Sequence, residues 1–219
     1  MKLRYYGHSV FVVAGGSTKV VVDPWISNPL SPITSPEELE KVDYVLVTHD
    51  HQDHLGEAVE IAEQHKARVL GVYELVQDLP VQGIPANIGG KVQLDDLQAI
   101  LVKAEHSCKR GVPVGFVLRC SGKAVYHAGD TGIFYDMKLY GELYGIKLAL
   151  LPVGGRYTMD VEDALKALEL LRPEKFVPMH YNTFEAIKVS EDKLQELARK
   201  AESLGVECVL LEPGEELQL

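Results

Sequence analysis

Alternating hydrophobic and polar residues open the chain and predict strands. Two β-prone runs flank Gly15-Gly16, KLRYYGHSVFVVAGG before and STKVVVDP after, which is a hairpin signal. A loop rich in Pro and Ser follows, with a short helix predicted near residues 37–41, and DYVLVT then predicts a further strand. The segment LGEAVEIAEQHK has the apolar spacing of an amphipathic helix, and ARVLGVY predicts another strand.

The middle of the chain predicts strands only, and the end alternates helix with strand. Consecutive strands are predicted between about residue 90 and 128, in KVQLDD, QAILVKAEH, VPVGFVLRC and KAVYHAG. After them come the buried strand KLALLPVGG, the helix VEDALKALELL, the strand KFVPMHY, the helix SEDKLQELARKAESLG and one or two strands in ECVLLEPGEELQL. This order predicts a single α/β domain of residues 1–219, with two sheets inside and helices outside. A doubly wound parallel sheet is the alternative, and the strand-only block disfavours it.

Charge and cysteine content limit the partners and the compartment. The net charge of −10 disfavours broad electrostatic binding to nucleic acid or to an anionic membrane. No stretch reaches the roughly 18 apolar residues that a membrane span needs, and MKLRYYGHSVFVV lacks the apolar core of a signal peptide. The three cysteines are far apart and odd in number, which disfavours a disulfide framework and leaves the reducing cytoplasm as the expected location.

A dense string of histidines and aspartates follows the predicted strand DYVLVT. In VLVTHDHQDHLGE, residues 45–57, the side chains of His49, His51, Asp53 and His54 share one short turn at the carboxyl end of that strand. Ligand sites of α/β sheets concentrate at such ends. Imidazole and carboxylate groups suit Zn²⁺, Mn²⁺ or Fe²⁺, and solvation of a surface loop gives no reason for this density. The string therefore predicts a metal site.

Three further residues with ligand-capable side chains end other apolar runs. They are His106 after QAILVKAE, Asp130 in HAGDTG and His180 after KFVPM. A side chain at the end of a strand is held on a stiff scaffold, as a metal site requires. Two metal ions are therefore predicted, one bound by His49, His51 and His106 and the other by Asp53, His54 and His180, with Asp130 as the bridge between them.

The string THDHQDH, together with His106, Asp130 and His180, resembles the metallo-β-lactamase superfamily. The segments YYGHSVFVV, VDPWISNP, AEHSC, GDTG and HYNTF resemble a branch of metal-dependent hydrolases near the ascorbate-6-phosphate lactonases and, more distantly, the tRNA 3′-end-processing ribonucleases. The resemblance implies a four-layer αββα sandwich with a dinuclear site along one edge of the two sheets. Asp130 replaces a cysteine of many β-lactamases, which implies a general hydrolase rather than antibiotic hydrolysis.

Two divalent cations in this arrangement would share a water and lower its pKa from about 15.7 toward 7. The bridging hydroxide would then attack the substrate, and Asp53 would orient it or accept its proton. Zn is the expected metal, and Mn, Fe or Ni are the alternatives. A small and perhaps anionic ester, lactone or phosphoester is the expected substrate. The sequence leaves a homo-oligomer open.

Several residues near the motifs have expected roles around the metals. Asp23 would hold the histidine-rich loop or a ligand imidazole, although it also suits a turn before Pro24. By the resemblance, His8 in YYGHSVF would contact substrate. Asn182 and Thr183 could hydrogen-bond a leaving group, and Arg156 could pair with an acidic substrate or lie on the surface.

Four alternatives to the small-molecule hydrolase can be named. A ribonuclease or other nucleic-acid phosphodiesterase would need a substrate-gripping arm, and no basic insertion of that kind is present. Iron redox chemistry is disfavoured because the flavodiiron relatives replace the second histidine of the motif, here His51, with Glu. A non-enzymatic metal-binding protein is disfavoured by the complete ligand set. Cys108, close to His106, is a weaker candidate for a nucleophilic thiol.

Overall fold

Two seven-stranded β-sheets form the centre of the structure, a computed structural model that describes residues 1–219. Sheet A contains, in spatial order, β14 (Glu216–Gln218), β1 (Lys2–Tyr5), β2 (Phe11–Gly15), β3 (Thr18–Val22), β4 (Tyr44–Leu46), β5 (Arg68–Val72) and β6 (Gly83–Ala86). Sheet B contains β13 (Glu207–Cys208), β12 (Lys175–Met179), β11 (Leu148–Pro152), β10 (Lys123–His127), β9 (Val114–Cys120), β8 (Leu97–Lys103) and β7 (Lys91–Leu94).

Each sheet combines an antiparallel half with a parallel half. In sheet A, β14, β1, β2 and β3 are antiparallel neighbours, and β3 to β6 run parallel. In sheet B, β7 to β10 are antiparallel neighbours, and β10 to β13 run parallel. Because β8 and β10 are both antiparallel to β9, they point the same way, and their carboxyl ends lie at the same edge of the sheet as those of β11 and β12.

The helices cover the two outer faces. On sheet A lie α1 (Gln52–Leu55), α2 (Ala58–His65) and α3 (Tyr73–Gln77), and on sheet B lie α4 (Met137–Tyr144), α5 (Val161–Leu171) and α6 (Glu191–Ser203). Along β3 the side chains alternate: Val21 packs in the cluster that contains Ile61 of α2, whereas Val20 and Val22 belong to the larger core. The two sheets meet in that core, where the rings of Phe11 and His127 are 5.8 Å apart. The fold is therefore the αββα sandwich that the resemblance implied.

The strand-only block is confirmed as β7 to β10, and the predicted helices near the end are confirmed as α5 and α6. The helix expected near residues 37–41 is only a short 3₁₀ turn, Pro36–Glu38. Helix α4 has no clear sequence signal because Gly141 interrupts it. That glycine is required by packing, since a Cβ atom there would lie 2.3 Å from the carbonyl oxygen of Leu171.

One error of the sequence interpretation affects the site. The run KLRYYGHSVFVVAGG is not one strand but two, β1 and β2, joined by a turn at Gly7 and His8. Both residues have left-handed backbone conformations, with φ of 89° and 54°. Glycine adopts this conformation readily and histidine rarely. Because hydrophobic and polar residues alternate on both sides of the turn, the sequence pattern does not reveal it. The turn places His8 at the edge of the sheet where the histidine-rich loop begins.

None of the six helices combines the length and the apolar character that a membrane crossing requires.

Candidate metal centre

The predicted ligands meet where strands of both sheets end. Residues 48–54 follow β4 and include the first three residues of α1, and the loops after β8, β10 and β12 carry the other three ligands. The two sheets are joined at this edge by backbone hydrogen bonds: the amide of His180 donates to the carbonyl of His8, and that of Val114 to the carbonyl of Thr48. All seven predicted ligands lie in two adjacent groups there. Residues up to 131 positions apart in the chain, from His49 to His180, are thus brought together.

The first group contains His49, His51 and His106, together with Asp130. One ligand-capable atom from each of these residues lies within 4.8 Å of every other. Nε2 of His49 and Nδ1 of His51 are 2.9 Å apart, and the ring of His106 is 5.1 Å from that of His51. These three histidines, which were predicted to bind one ion together, therefore lie close enough to one another to do so.

The second group contains Asp53, His54 and His180, joined by His8, again within 4.8 Å of one another. Oδ2 of Asp53 lies 3.7 Å from Nε2 of His180. His54 and His180 are almost completely buried, whereas a quarter of the Asp53 side chain is exposed. Asp53 is therefore the residue of this group that reaches toward solvent.

Asp130 lies between the two groups and turns one oxygen toward each. Its Oδ1 is 3.1 Å from Nε2 of His54 and 3.1 Å from Nε2 of His180. Its Oδ2 is 3.5 Å from Nε2 of His106. Asp130 therefore contacts residues of both groups, and its role as a bridge remains a prediction.

The atoms that converge here lack hydrogen-bond partners, although they are buried. They are Nε2 of His54, Oδ1 of Asp130 and both ring nitrogens of His180. The contacts of 3.1 Å between them do not have hydrogen-bond geometry. Unpartnered buried polar atoms are rare in folded proteins and need an explanation. Nitrogen and carboxylate donors aimed at a common point fit divalent cations, and this donor set suits Zn²⁺ among others.

Asp23 orients two of these histidines. Its carboxylate accepts hydrogen bonds from the amide and the hydroxyl of Thr48 and from Nδ1 of His54, each at 2.8 Å. Because the single hydroxyl proton of Thr48 goes to Asp23, the contact of 3.0 Å between its oxygen and Nδ1 of His49 is donated by the imidazole. In the neutral form of both His49 and His54 the proton therefore lies on Nδ1, which leaves the lone pair of Nε2 available to the centre. The predicted contact of Asp23 with the histidine-rich loop is confirmed.

The carboxylates also set the charge of the centre. Burial lowers the pKa of His180, but Asp130 and Asp53 outweigh it and raise this pKa to about 9. The pKa of His54 is also raised well above its usual value, because Asp130 and Asp23 outweigh burial. By contrast, burial holds the pKa of His49 well below its usual value. Buried carboxylates thus require positive charge beside them, which protons supply in the free chain and cations would supply in a metal-loaded one.

His8 does not occupy the position expected for a substrate contact. Its side chain is completely buried, with Nδ1 2.7 Å from the hydroxyl of Thr183 and Nε2 3.2 Å from Oδ2 of Asp53. Since a carboxylate only accepts, Nε2 of His8 is the donor to Asp53. Burial lowers the pKa of His8 to about 4. With both nitrogens engaged and no exposed surface, His8 acts on Asp53, and Thr183 acts on His8 rather than on a leaving group.

The other expected contacts lie outside the two groups. The side-chain oxygen of Asn182 accepts from the amide of Val189 and closes its own turn, where Asn182 has a φ of 61°. Arg156 is exposed, with its guanidinium 5.6 Å from the ring of Tyr157, and forms no ion pair. Burial raises the pKa of the Cys108 thiol, which disfavours the reactive thiolate. Neither Asn182 nor Arg156 is placed at the ligand groups by these contacts.

Two aromatic residues beside the centre have no signal in the sequence pattern. The rings of Trp25 and Phe184 stack at 5.5 Å, with 18° between their planes. Trp25 follows β3 in sheet A and Phe184 follows β12 in sheet B, so only the pairing of the sheets brings them together. His127, by contrast, is an internal residue: it is completely buried, and its Nε2 donates to the carbonyl of Ser9.

Residues 18–181 match the model of the β-lactamase superfamily domain. The chain is similar along nearly its whole length to proteins described as UPF0173 metal-dependent hydrolases. One from Thermofilum pendens is 49% identical over 98% of this chain and 97% of its own length. Another, from Staphylothermus marinus, is 46% identical over 97% of this chain and 96% of its own length.

A solved structure shares the fold closely. It is that of Igni18, described as a novel metallo hydrolase from the hyperthermophilic archaeon Ignicoccus hospitalis. The two chains are 46% identical and superpose with a TM-score of 0.93. The match covers 100% of this chain and 98% of the other. At this similarity the two chains share one overall fold.

Proposed function

This chain belongs to the β-lactamase superfamily and is a metal-dependent hydrolase, and on that premise we propose that it uses two divalent metal ions to hydrolyse a small ester, lactone or phosphoester. The observation that carries the proposal is the position of Asp130, whose two oxygens face two separate groups of ligand atoms. A carboxylate shared in this way joins two metal positions rather than completing one.

The proposed ligands of the first ion are His49, His51 and His106, and those of the second are Asp53, His54 and His180, with Asp130 common to both. Zn²⁺ is the metal that we propose, because a set of imidazole and carboxylate groups suits it, and Mn²⁺, Fe²⁺ or Ni²⁺ are the alternatives for the same donors. Ions bound there would supply Lewis-acid chemistry, lowering the pKa of water and polarising the substrate's carbonyl or phosphoryl oxygen.

Asp53 is the proposed orienting residue for the attacking water. Its side chain is 25% exposed, against 3% for Asp130, so it alone of the two carboxylates can meet a molecule that enters from solvent. Burial raises its pKa, but the nearby imidazoles of His180, at 3.7 Å, and of His8, which donates a hydrogen bond to it, outweigh burial and hold the pKa well below its usual value. A carboxylate that is so weakly basic accepts a hydrogen bond well and retains a proton poorly, which favours orientation over proton storage.

The proposed catalytic unit is one domain of residues 1–219. Strand β14 pairs with β1 and returns the end of the chain to sheet A. The net charge of −10 favours a small substrate over a nucleic acid.

The test combines metal analysis with a substrate panel. The purified protein should contain two equivalents of divalent metal and hydrolyse at least one member of a panel of p-nitrophenyl phosphodiesters, lactones and thioesters. We expect His51→Ala and Asp53→Ala each to reduce that activity by more than about a hundredfold while the protein remains folded. His65→Ala, which replaces a histidine of α2 outside the centre, is the control. Full turnover in both centre variants would refute the proposal.

A further inference from the structure

The stack of Trp25 and Phe184 lies against the second ligand group. Both rings meet the ring of His8 edge-on, at 5.0 Å for Trp25 and 5.8 Å for Phe184. His8 in turn donates to Asp53. One imidazole therefore separates the aromatic pair from the carboxylate that reaches solvent.

Phe184 leaves 41% of its surface exposed, and the fold of its own segment does not need its side chain. The turn that contains it is anchored by Ile187, which is completely buried and donates its amide to the carbonyl of Phe184. Single exposed apolar residues are common on protein surfaces. This residue differs because it stacks on a tryptophan from the other sheet, directly beside a polar centre.

Two acidic side chains near the stack are held by local contacts of their own. Glu57 accepts from the amide of Ile26 and from the hydroxyl of Ser27, and Glu185 pairs with Lys188 at 2.5 Å. The exposed part of Phe184 is an apolar aromatic ring, which suits contact with an uncharged planar group.

We propose that Trp25 and Phe184 form an aromatic subsite, which binds a flat aromatic group of the substrate while the adjoining ester or phosphoester reaches Asp53. The inference rests on the proposed hydrolytic function and names its substrate class as aryl-substituted esters and phosphoesters. Aromatic rings prefer offset-stacked or edge-to-face contacts, and each such contact strengthens binding by about two- to tenfold beyond the burial of area.

The chain has one tryptophan, Trp25, so its fluorescence reports on this subsite without any turnover. The metal-loaded protein is titrated with phenylphosphonate, and methylphosphonate is measured by competition against it. In the unaltered protein, phenylphosphonate should change the emission of Trp25 and bind about three- to tenfold more tightly than methylphosphonate. In Phe184→Ala this preference should fall below about twofold. Phe184→Leu, which keeps an apolar side chain, should retain an intermediate preference.

The matched control is Leu143→Ala on α4, a side chain that is 61% exposed and remote from the centre. It should keep the full preference for phenylphosphonate. An unchanged preference in Phe184→Ala, or no response of Trp25 to phenylphosphonate, would overturn the subsite. Hydrolysis of the substrate panel is measured separately. If the unaltered protein hydrolyses the panel but shows no preference for phenylphosphonate, the subsite alone is rejected. If it shows that preference, loses it in Phe184→Ala and hydrolyses no member of the panel, the proposed hydrolytic function is rejected and the subsite is supported.

Discussion

Asp23 accepts a hydrogen bond of 2.8 Å from Nδ1 of His54, and both side chains are completely buried. The two residues are 31 positions apart: Asp23 follows β3, and His54 lies in α1, the short helix that comes after β4. Because a carboxylate cannot donate, this bond keeps a proton on Nδ1 of His54 and turns Nε2, where the neutral imidazole has its lone pair, toward Asp130 and His180. The orientation of a proposed ligand is thus set by a residue that lies outside both ligand groups.

Replacing Asp23 with Asn should weaken metal binding about 10- to 100-fold, because an amide can donate as well as accept and no longer enforces one tautomer of His54. Competition of the variant against a chelating dye measures the change. Asp43→Asn, at an exposed aspartate before β4, is the control and should bind metal as the unaltered protein does. Unchanged metal affinity in Asp23→Asn would show that the bond does not orient the ligand.

Loss of Asp130 should affect both metal positions, whereas loss of His106 should affect one. Oδ1 of Asp130 faces His54 and His180, and Oδ2 faces His106. We therefore expect Asp130→Asn to bind less than one equivalent of metal under conditions where His106→Ala still binds about one. Elemental analysis after dialysis gives the stoichiometry. Equal stoichiometry in the two variants would contradict the bridging role.

His8 should affect turnover through Asp53, and Thr183 should act through His8. We expect His8→Ala to lower kcat by about 10- to 100-fold with a smaller change in KM, and Thr183→Val, which removes one hydrogen bond, to lower kcat by about two- to tenfold. In the variant with both substitutions, kcat should be about as low as with His8→Ala alone. The hydrogen bond that Thr183→Val removes is already lost when the imidazole of His8 is absent.

Metal content separates this role from direct ligation. If His8 positions Asp53, the protein with His8→Ala keeps the metal stoichiometry of the unaltered protein. Loss of one equivalent would instead make His8 a ligand of the second group, within which its nitrogen also lies.

The stability of the chain should fall as the pH drops below about 6.5, in part because of His127. Its Nε2 donates to Ser9, its Nδ1 accepts from the amide of Gly129, and burial lowers its pKa from the usual 6.5. Below that pH the unfolded chain binds a proton at this histidine and the folded chain does not. The free energy of unfolding therefore falls with falling pH, by at most about 1.4 kcal/mol per pH unit from this group, until the lowered pKa is reached.

His127→Gln removes this titration while keeping a donor for Ser9. Urea unfolding of both proteins at about pH 7.5 and about pH 5.5, with a chelator present so that metal release does not contribute, measures the difference. We expect the loss of unfolding free energy between the two pH values to be smaller in the variant. Equal losses would mean that His127 does not titrate differently in the folded chain.

Much of the architecture follows from local sequence pattern. The side chains of valines 20 to 22 point alternately into two hydrophobic clusters, as the two-residue period of a strand predicts. Strands β7 to β10 follow one another along the chain, as the strand-only block indicated. The errors occur where local preference and tertiary packing disagree. His8 adopts a left-handed conformation that its residue type disfavours, and α4 contains Gly141 because α5 approaches it closely.

The sequence by itself identified the seven candidate ligands, because ligand chemistry depends on residue type and because those residues follow apolar runs that end at the same edge. Only the tertiary structure decided how His8, Asp23, Trp25 and Phe184 surround that set. Their contacts join loops from both sheets, at distances and ring angles that depend on how the sheets pack. Spacing along one strand specifies neighbours within a few residues, whereas contacts between the loops of two sheets are specified by the whole core.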